Sequence, residues 1–147
     1  MKQVVVVWIL LLSPKDDAAM AAPHVLIIDD SLAETRIFTV LLEKHGYRVS
    51  VACNGQEGVQ VAKARQPDVI LMDVVMPLLN GFQATRELTR TAETAHIPII
   101  VCSSKSTETD RLWAMRQGAK AYLIKPVTPK ILLDTVAQFI AGAGTHG

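Results

Sequence analysis

The sequence predicts a doubly wound α/β sandwich, a five-stranded parallel sheet with helices on both faces. Three observations predict it. Short β-branched runs alternate with longer stretches of helical periodicity from His24 onward. Most runs are apolar throughout, not at every second residue, which suits strands covered on both faces. Several end at an acid, a hydroxyl or a lysine, where the strands of such sheets carry their chemistry.

The elements follow in order. "HVLII" (24–28) is the first strand. Ser31 caps the next helix, and Glu34, three residues on, completes a capping box. Ile37, Val40, Leu41 and Lys44 keep one face of that helix, and Gly46 stops it. "RVSVAC" (48–53) is the second strand. Asn54 opens a second helix, with Val61 and Ala62 inward, which closes before Pro67. Val69 to Met72 form the third strand, with Asp73 at its end. A loop with Pro77 and Gly81, where the glycine serves the backbone, leads to a helix from about Phe82 to Arg90. "IPIIVC" (97–102) is strand four, and "TETDRLWAMRQ" (107–117) is helix four, stopped by Gly118. "AYLI" (121–124) is strand five. Thr128 caps a last helix with an apolar stripe of Ile131, Leu132, Thr135, Val136, Phe139 and Ile140.

Composition bounds the function. The 147 residues suit one domain, placed at 23–141, with 142–147 as a flexible tail. A net charge of +1 offers no overall footprint for nucleic acid. Cys53 and Cys102 lack metal-ligand spacing and read as free, buried thiols. The four histidines are scattered and read as surface or cap residues. Residues 1–22 stand apart, because Val4 to Leu12 are nine apolar residues in a row. As a helix they would cover roughly half of a bilayer core, so no membrane span is expected. Three readings remain open: an extension upstream of a natural start at Met20, an added strand or packing arm, or a signal peptide. Lys15, Asp16 and Asp17 speak against the last.

The strand ends carry the functional argument. Strand one ends in Asp29-Asp30, strand three in Asp73, strand four in Ser103-Ser104 and strand five in Lys125-Pro126. An ionised carboxylate among apolar neighbours is costly unless it is paired, hydrogen-bonded or bound to metal. Two unit charges about 4 Å apart interact by roughly 4 kcal/mol at an effective dielectric of 20. Three clustered acids therefore repel, and a hard divalent cation such as Mg²⁺ relieves the repulsion. A carboxylate beside a metal and an ammonium is placed to attack a phosphoryl group.

These residues resemble the response-regulator receiver domains of the CheY-like kind, from His24 to about Ala141. The carried motifs are Asp29-Asp30, "LMDVVMP" around Asp73, Ser103, and "YLIKP" with Lys125. The resemblance implies the strand order 2-1-3-4-5. It implies Asp73 as phosphoacceptor and Mg²⁺ held by Asp29, Asp30, Asp73 and the backbone carbonyl of Val75. Ser103 and Tyr122 would be the switch residues, Lys125 would pair with the phosphoryl group, and the Lys125–Pro126 bond would be cis. Ser103 stands where threonine is commoner, and Val75 where a polar residue is frequent. "MPLLNGFQATRELT" and "ETDRLWAMRQGAKAYLIKPV" further resemble the stand-alone regulators of a type IV pilus chemotaxis-like pathway controlling twitching motility.

The implied partners are a histidine kinase and a protein target on the face made by helix four, strand five and helix five. Trp113 is either an anchor on that face or a packing residue. A cytoplasmic protein without an attached effector domain is expected, acting by docking or as a phosphate sink. An aspartate-nucleophile phosphohydrolase would need an acid two residues after Asp73, where Val75 stands. A flavodoxin-like cofactor binder would need a phosphate-cradling loop after strand one, where Asp29-Asp30 would repel phosphate.

Overall fold

The computed structural model describes residues 22–76 and 78–145. The strands are β1 (His24–Ile28), β2 (Arg48–Ala52), β3 (Val69–Asp73), β4 (Ile99–Ser103) and β5 (Ala121–Ile124). They alternate with helices α1 (Leu32–Lys44), α2 (Gly55–Arg65), α3 (Gly81–Arg90), α4 (Glu108–Arg116) and α5 (Pro129–Thr145). One sheet runs β2-β1-β3-β4-β5, with every pair parallel, as expected. The readings of residues 1–22 fall, but for Ala22, outside the described residues.

The sheet divides the core. Leu26, Ile28, Ile70, Met72, Ile99 and Val101 pack with Val59, Ala62, Ala84, Leu88 and Ala114 under α2, α3 and α4. Val25, Ile27, Val69, Leu71, Ile100 and Cys102 pack with Phe38, Leu42, Leu132 and Val136 under α1 and α5. Successive strand residues point to opposite faces. Both faces being covered is why the central runs read as apolar throughout. Burying each large aliphatic chain contributes on the order of 1.5–3 kcal/mol. The edge strands β2 and β5 are only partly covered, which accounts for Arg48 and Ser50 in "RVSVAC".

Ser31, Asn54 and Thr128 cap their helices as expected, and Gly46 and Gly118 take the left-handed conformation at φ +91° and +109°. Helix α2 ends without a glycine. Gln66 adopts φ 50° there, its side-chain amide donating to the carbonyls of Lys63 and Glu93.

Five expectations are corrected. The buried residues of α1 are Thr35, Phe38 and Leu42, while Ile37 and Val40 are about two-thirds exposed. This helix carries apolar residues on two sides, so periodicity leaves its rotation open. The entry turn settles it, where the Ser31 N–H binds Asp29 Oδ1 at 2.9 Å. Ile131 is likewise exposed, and Leu132 and Val136 carry the α5 stripe inward. Helix α5 continues to Thr145, into the stretch read as a flexible tail. That stretch holds no proline to break the i→i−4 ladder. Cys53 is exposed, because β2 has ended and the chain has turned outward before α2; only Cys102 is buried, its thiol pushed up to about 12 by burial. His24 is buried, its Nε2 within 2.7 Å of Ser50 Oγ, because β1 is central to the sheet.

Candidate functional site

Strand register assembles the site. Ile28 pairs with Met72, so Asp29 lies opposite Asp73. Asp73 pairs with Cys102, so Ser103 is one residue further along the next strand. Ser103 pairs with Ile124, and the Lys125 N–H then donates to the Ser103 carbonyl at 2.8 Å. Neighbouring strands lie about 4.8 Å apart. Four residues from four consecutive strand ends therefore share one edge, although almost 100 positions separate Asp29 from Lys125.

The side chains converge. Asp29 is buried; its Oδ1 accepts from the Ser31 N–H and its Oδ2 accepts from Lys125 Nζ at 3.1 Å. Asp73 Oδ1 accepts from the same ammonium at 3.1 Å. Asp30 is exposed at the rim. Burial, and then the Asp73 charge, push the Asp29 carboxyl up to about 6, against the Ser31 N–H and Lys125. Burial raises Asp73 as well. Burial pulls Lys125 down, but its hydrogen bonds to Glu34 and Asp29 outweigh this and hold it above the ordinary lysine range.

The acids fit a small hard cation. One carboxylate oxygen from each of Asp29, Asp30 and Asp73 lies within 4.8 Å of the others. Oxygens at ~2.1 Å from a common ion are at most ~4.2 Å apart. Neighbouring oxygens of an octahedron at that radius are ~3.0 Å apart, so side-chain rotations of an ångström or two close the set around an ion.

Glu34 is the residue that sequence reasoning missed. Ser31 Oγ accepts from the Glu34 N–H at 3.3 Å, but the reciprocal half of the capping box is not made. The Ser31 N–H is committed to Asp29, and the Glu34 carboxylate turns to Lys125 Nζ at 2.5 Å. Helix α3, by contrast, makes the full box between Asn80 and Gln83. The available signal was spacing: Glu34 lies one turn beyond Asp30, at the end of α1 nearest the strand termini.

The remaining candidates surround this centre. Ser103 is buried, and its Oγ accepts from the Lys105 N–H at 3.1 Å. The Tyr122 hydroxyl donates to the Lys105 carbonyl at 2.7 Å, so both expected switch residues hold the loop between β4 and α4. Val75 is exposed just past Asp73. The Lys125–Pro126 bond is cis, as the resemblance implied.

Gly81 is tied to the site by close approach. A Cβ there would meet the Asp73 carbonyl oxygen at 2.0 Å and Val74 Cα at 2.8 Å, while the Gly81 N–H donates to the Val74 carbonyl at 2.9 Å. Backbone on both sides cannot give way as a flexible side chain could. Gly81→Ala is expected to cost about 2–4 kcal/mol, beyond the usual overpacking range at its upper end. A urea titration checks this, and an unchanged midpoint refutes it.

The raised Asp29 predicts a pH signature. A carboxyl whose folded value lies above its unfolded value binds more protons when folded, so stability falls as pH rises through that window. For Asp29 the window runs from 3.8 to about 6. His24 is lowered, chiefly by burial and then by Arg48, and shifts the whole protein's profile the opposite way below its ordinary value of 6.5. Comparing wild type with Asp29→Asn in chelator cancels His24. The stability of the variant relative to wild type is expected to grow by about 3 kcal/mol at most between pH 4 and pH 7. A difference that is flat with pH overturns the assignment.

The family described as "Response regulator receiver domain" matches residues 25–137. Protein PilH of Pseudomonas aeruginosa is 53% identical over 119 residues, covering 81% of this chain and 98% of that protein. The structure of chemotaxis protein CheY4 of Vibrio cholerae superposes with a TM-score of 0.77 at 28% identity, over 81% of this chain and 99% of the other. The receiver domain of sensor histidine kinase PA1611 of Pseudomonas aeruginosa, solved with a magnesium ion in its active-site cleft, gives 0.77 at 29%, over 82% and 99%. Two independent likenesses, one of sequence across the strand-end motifs and one of topology, thus lead to a single placement: the chain belongs to the response-regulator receiver-domain family.

Proposed function

We propose that this response regulator is a switch whose Asp73 accepts a phosphoryl group from the phosphohistidine of a histidine kinase. One observation carries the reading: a largely buried carboxylate ends a central strand with the Lys125 ammonium 3.1 Å away and two further acids at its side. The strand is buried along its whole length before Asp73, so the nucleophile is held by packing.

An Asp73 oxygen attacks phosphorus, the new O–P bond forms, and the P–N bond to the histidine breaks. The imidazole leaves as a neutral ring, keeping the proton that its other nitrogen already carries. Lys125 remains protonated, because its hydrogen-bonded carboxylates hold it above the ordinary range, and donates to the oxygens that gather charge. Asp29, Asp30 and Asp73, with the backbone carbonyl of Val75, would hold Mg²⁺, which when bound adds positive charge beside the phosphoryl oxygens. PA1611's receiver domain, with magnesium in its cleft, supports this assignment by likeness.

Ser103 would turn its hydroxyl from the Lys105 N–H toward the phosphoryl group. Tyr122 would follow, because both residues grip the same loop. The surface so reset is α4–β5–α5, where Leu112, Trp113, Ile124 and Ile131 are all about half exposed. We assign target docking to it. Moving that equilibrium from 1:99 to 99:1 needs about 5.5 kcal/mol of preference for the phosphorylated form.

Residues 23–141 form the receiver unit in this reading. The chain is a phosphoacceptor and not a turnover enzyme, since Val75 supplies no general acid two residues after Asp73. The likeness to PilH supports a chemotaxis-like pathway of twitching motility, acting in the cytoplasm by docking or as a phosphate sink. No helix among the described residues is long and apolar enough to cross a membrane. The direct test is phosphotransfer profiling against purified histidine kinases, read by intact mass. Uptake of one phosphoryl group from a cognate kinase supports the reading, and no uptake from any kinase or from acetyl phosphate with Mg²⁺ overturns it.

A further inference from the structure

An ammonium has three N–H donors, and Lys125 has spent all three. They go to Asp29 Oδ2 at 3.1 Å, Asp73 Oδ1 at 3.1 Å and Glu34 Oε2 at 2.5 Å. A phosphoryl oxygen arriving on Asp73 therefore finds no free donor on the lysine. One existing contact has to yield. Asp29 and Asp73 are held in place by burial, their side chains 4% and 12% exposed, at the ends of two paired strands. Glu34 is different. Its side chain is 43% exposed and sits on the first turn of α1, so water can take over its carboxylate at small cost.

We propose that Glu34 is a positioning residue that occupies the phosphoryl-oxygen place on Lys125, competing with the phosphoryl group for the lysine. This rests on the reading of Asp73 as phosphoacceptor and goes beyond it. Before phosphorylation, Glu34 holds Lys125 in place over the acids. On phosphorylation, it is displaced and α1 loses a tether to the end of β5. The broken half of the capping box points the same way. Glu34 forgoes the helix-capping contact that its position offers, one that Gln83 makes in α3, in favour of the lysine.

Competition fixes a sign. Removing the charge while keeping the shape, as in Glu34→Gln, leaves Lys125 freer to turn to a phosphoryl oxygen. The pair is open to water on the glutamate side, where ion pairs are worth up to about 1 kcal/mol, so affinity for a phosphoryl mimic is expected to rise about fivefold. A role in helix stability alone gives the reverse, because a loosened α1 disorders Asp29 and weakens every ligand. Glu34→Asp keeps the charge but shortens the reach, and it is expected to behave as Glu34→Gln does.

The experiment titrates the full chain with beryllium trifluoride in saturating Mg²⁺, following amide chemical shifts of the loop between β4 and α4. Mg²⁺ affinity is measured separately by calorimetry. Tighter beryllium trifluoride binding by both variants, with Mg²⁺ affinity equal to or weaker than wild type, supports the proposal. Equal or weaker beryllium trifluoride binding by Glu34→Gln, with wild type binding normally, overturns it and leaves the phosphoacceptor reading standing. Failure of wild type itself to bind beryllium trifluoride overturns the phosphoacceptor reading and this proposal with it.

Discussion

Asp73→Asn is expected to take up no phosphoryl group from acetyl phosphate and Mg²⁺, while wild type takes up one. The amide oxygen is a poor nucleophile and its acyl phosphate analogue does not form. Asp29, the neighbouring acid, is not expected to substitute, because its side chain is 4% exposed against 12% for Asp73 and is less open to an incoming phosphoryl group. The fold is expected to survive. Asparagine has nearly the same shape, burial already disfavours the ionised carboxylate at this position, and Lys125 keeps Asp29 and Glu34. The melting temperature in chelator is therefore expected to be equal or higher. Intact-mass spectrometry checks the first statement and a thermal melt the second. Equal labelling of the variant sinks the assignment of Asp73, and an unfolded variant would show that its carboxylate is structural.

Asp30→Ala is expected to lose Mg²⁺ affinity by at least about a hundredfold. Residues that merely orient metal ligands cost about 10–100-fold when removed, so a direct carboxylate ligand costs at least the upper figure. Phosphorylation at limiting Mg²⁺ should fail in step. Asp30 is exposed at the rim of the cluster and takes part in neither core, so nothing in the packing depends on it. Removing one of several like charges should leave the metal-free protein at least as stable as before. Calorimetric Mg²⁺ titration with a parallel melt decides the matter, and near-normal affinity removes Asp30 from the ligand set.

Glu34 and α1 show where reading from sequence stops. Asp29, Asp30, Asp73, Ser103 and Lys125 were legible because each ends a strand, and strand ends are marked by an abrupt change from apolar to polar. Glu34 does not end a strand. Its spacing from Ser31 matched a local motif, and the local motif hid the distant partner, 91 positions away. The rotation of α1 was hidden for a related reason. Ile37 and Val40 are as apolar as Phe38 and Leu42, so no count of periodicity separates the two faces. Only the turn anchored on Asp29 does so. Burial of His24 turns on its strand being internal to the sheet, and exposure of Cys53 on the chain leaving β2 just before it; neither is a local property.

Alternation of runs and periodic stretches determined the doubly wound architecture by itself, since each property is local to a few consecutive residues. The acids and lysine at the strand ends determined the chemistry that this edge can carry. Tertiary structure decided what local signals leave degenerate. It chose which of two apolar faces of α1 is buried, and it required a glycine at 81 by bringing that backbone to within 2.0 Å of the Asp73 carbonyl, measured from a Cβ placed there. It also decided which carboxylates share Lys125. The physical reason is common to all three. An ion pair or a close approach is set by distances of a few ångströms between segments far apart in the chain, and those distances exist only after the parallel register of the sheet has been formed.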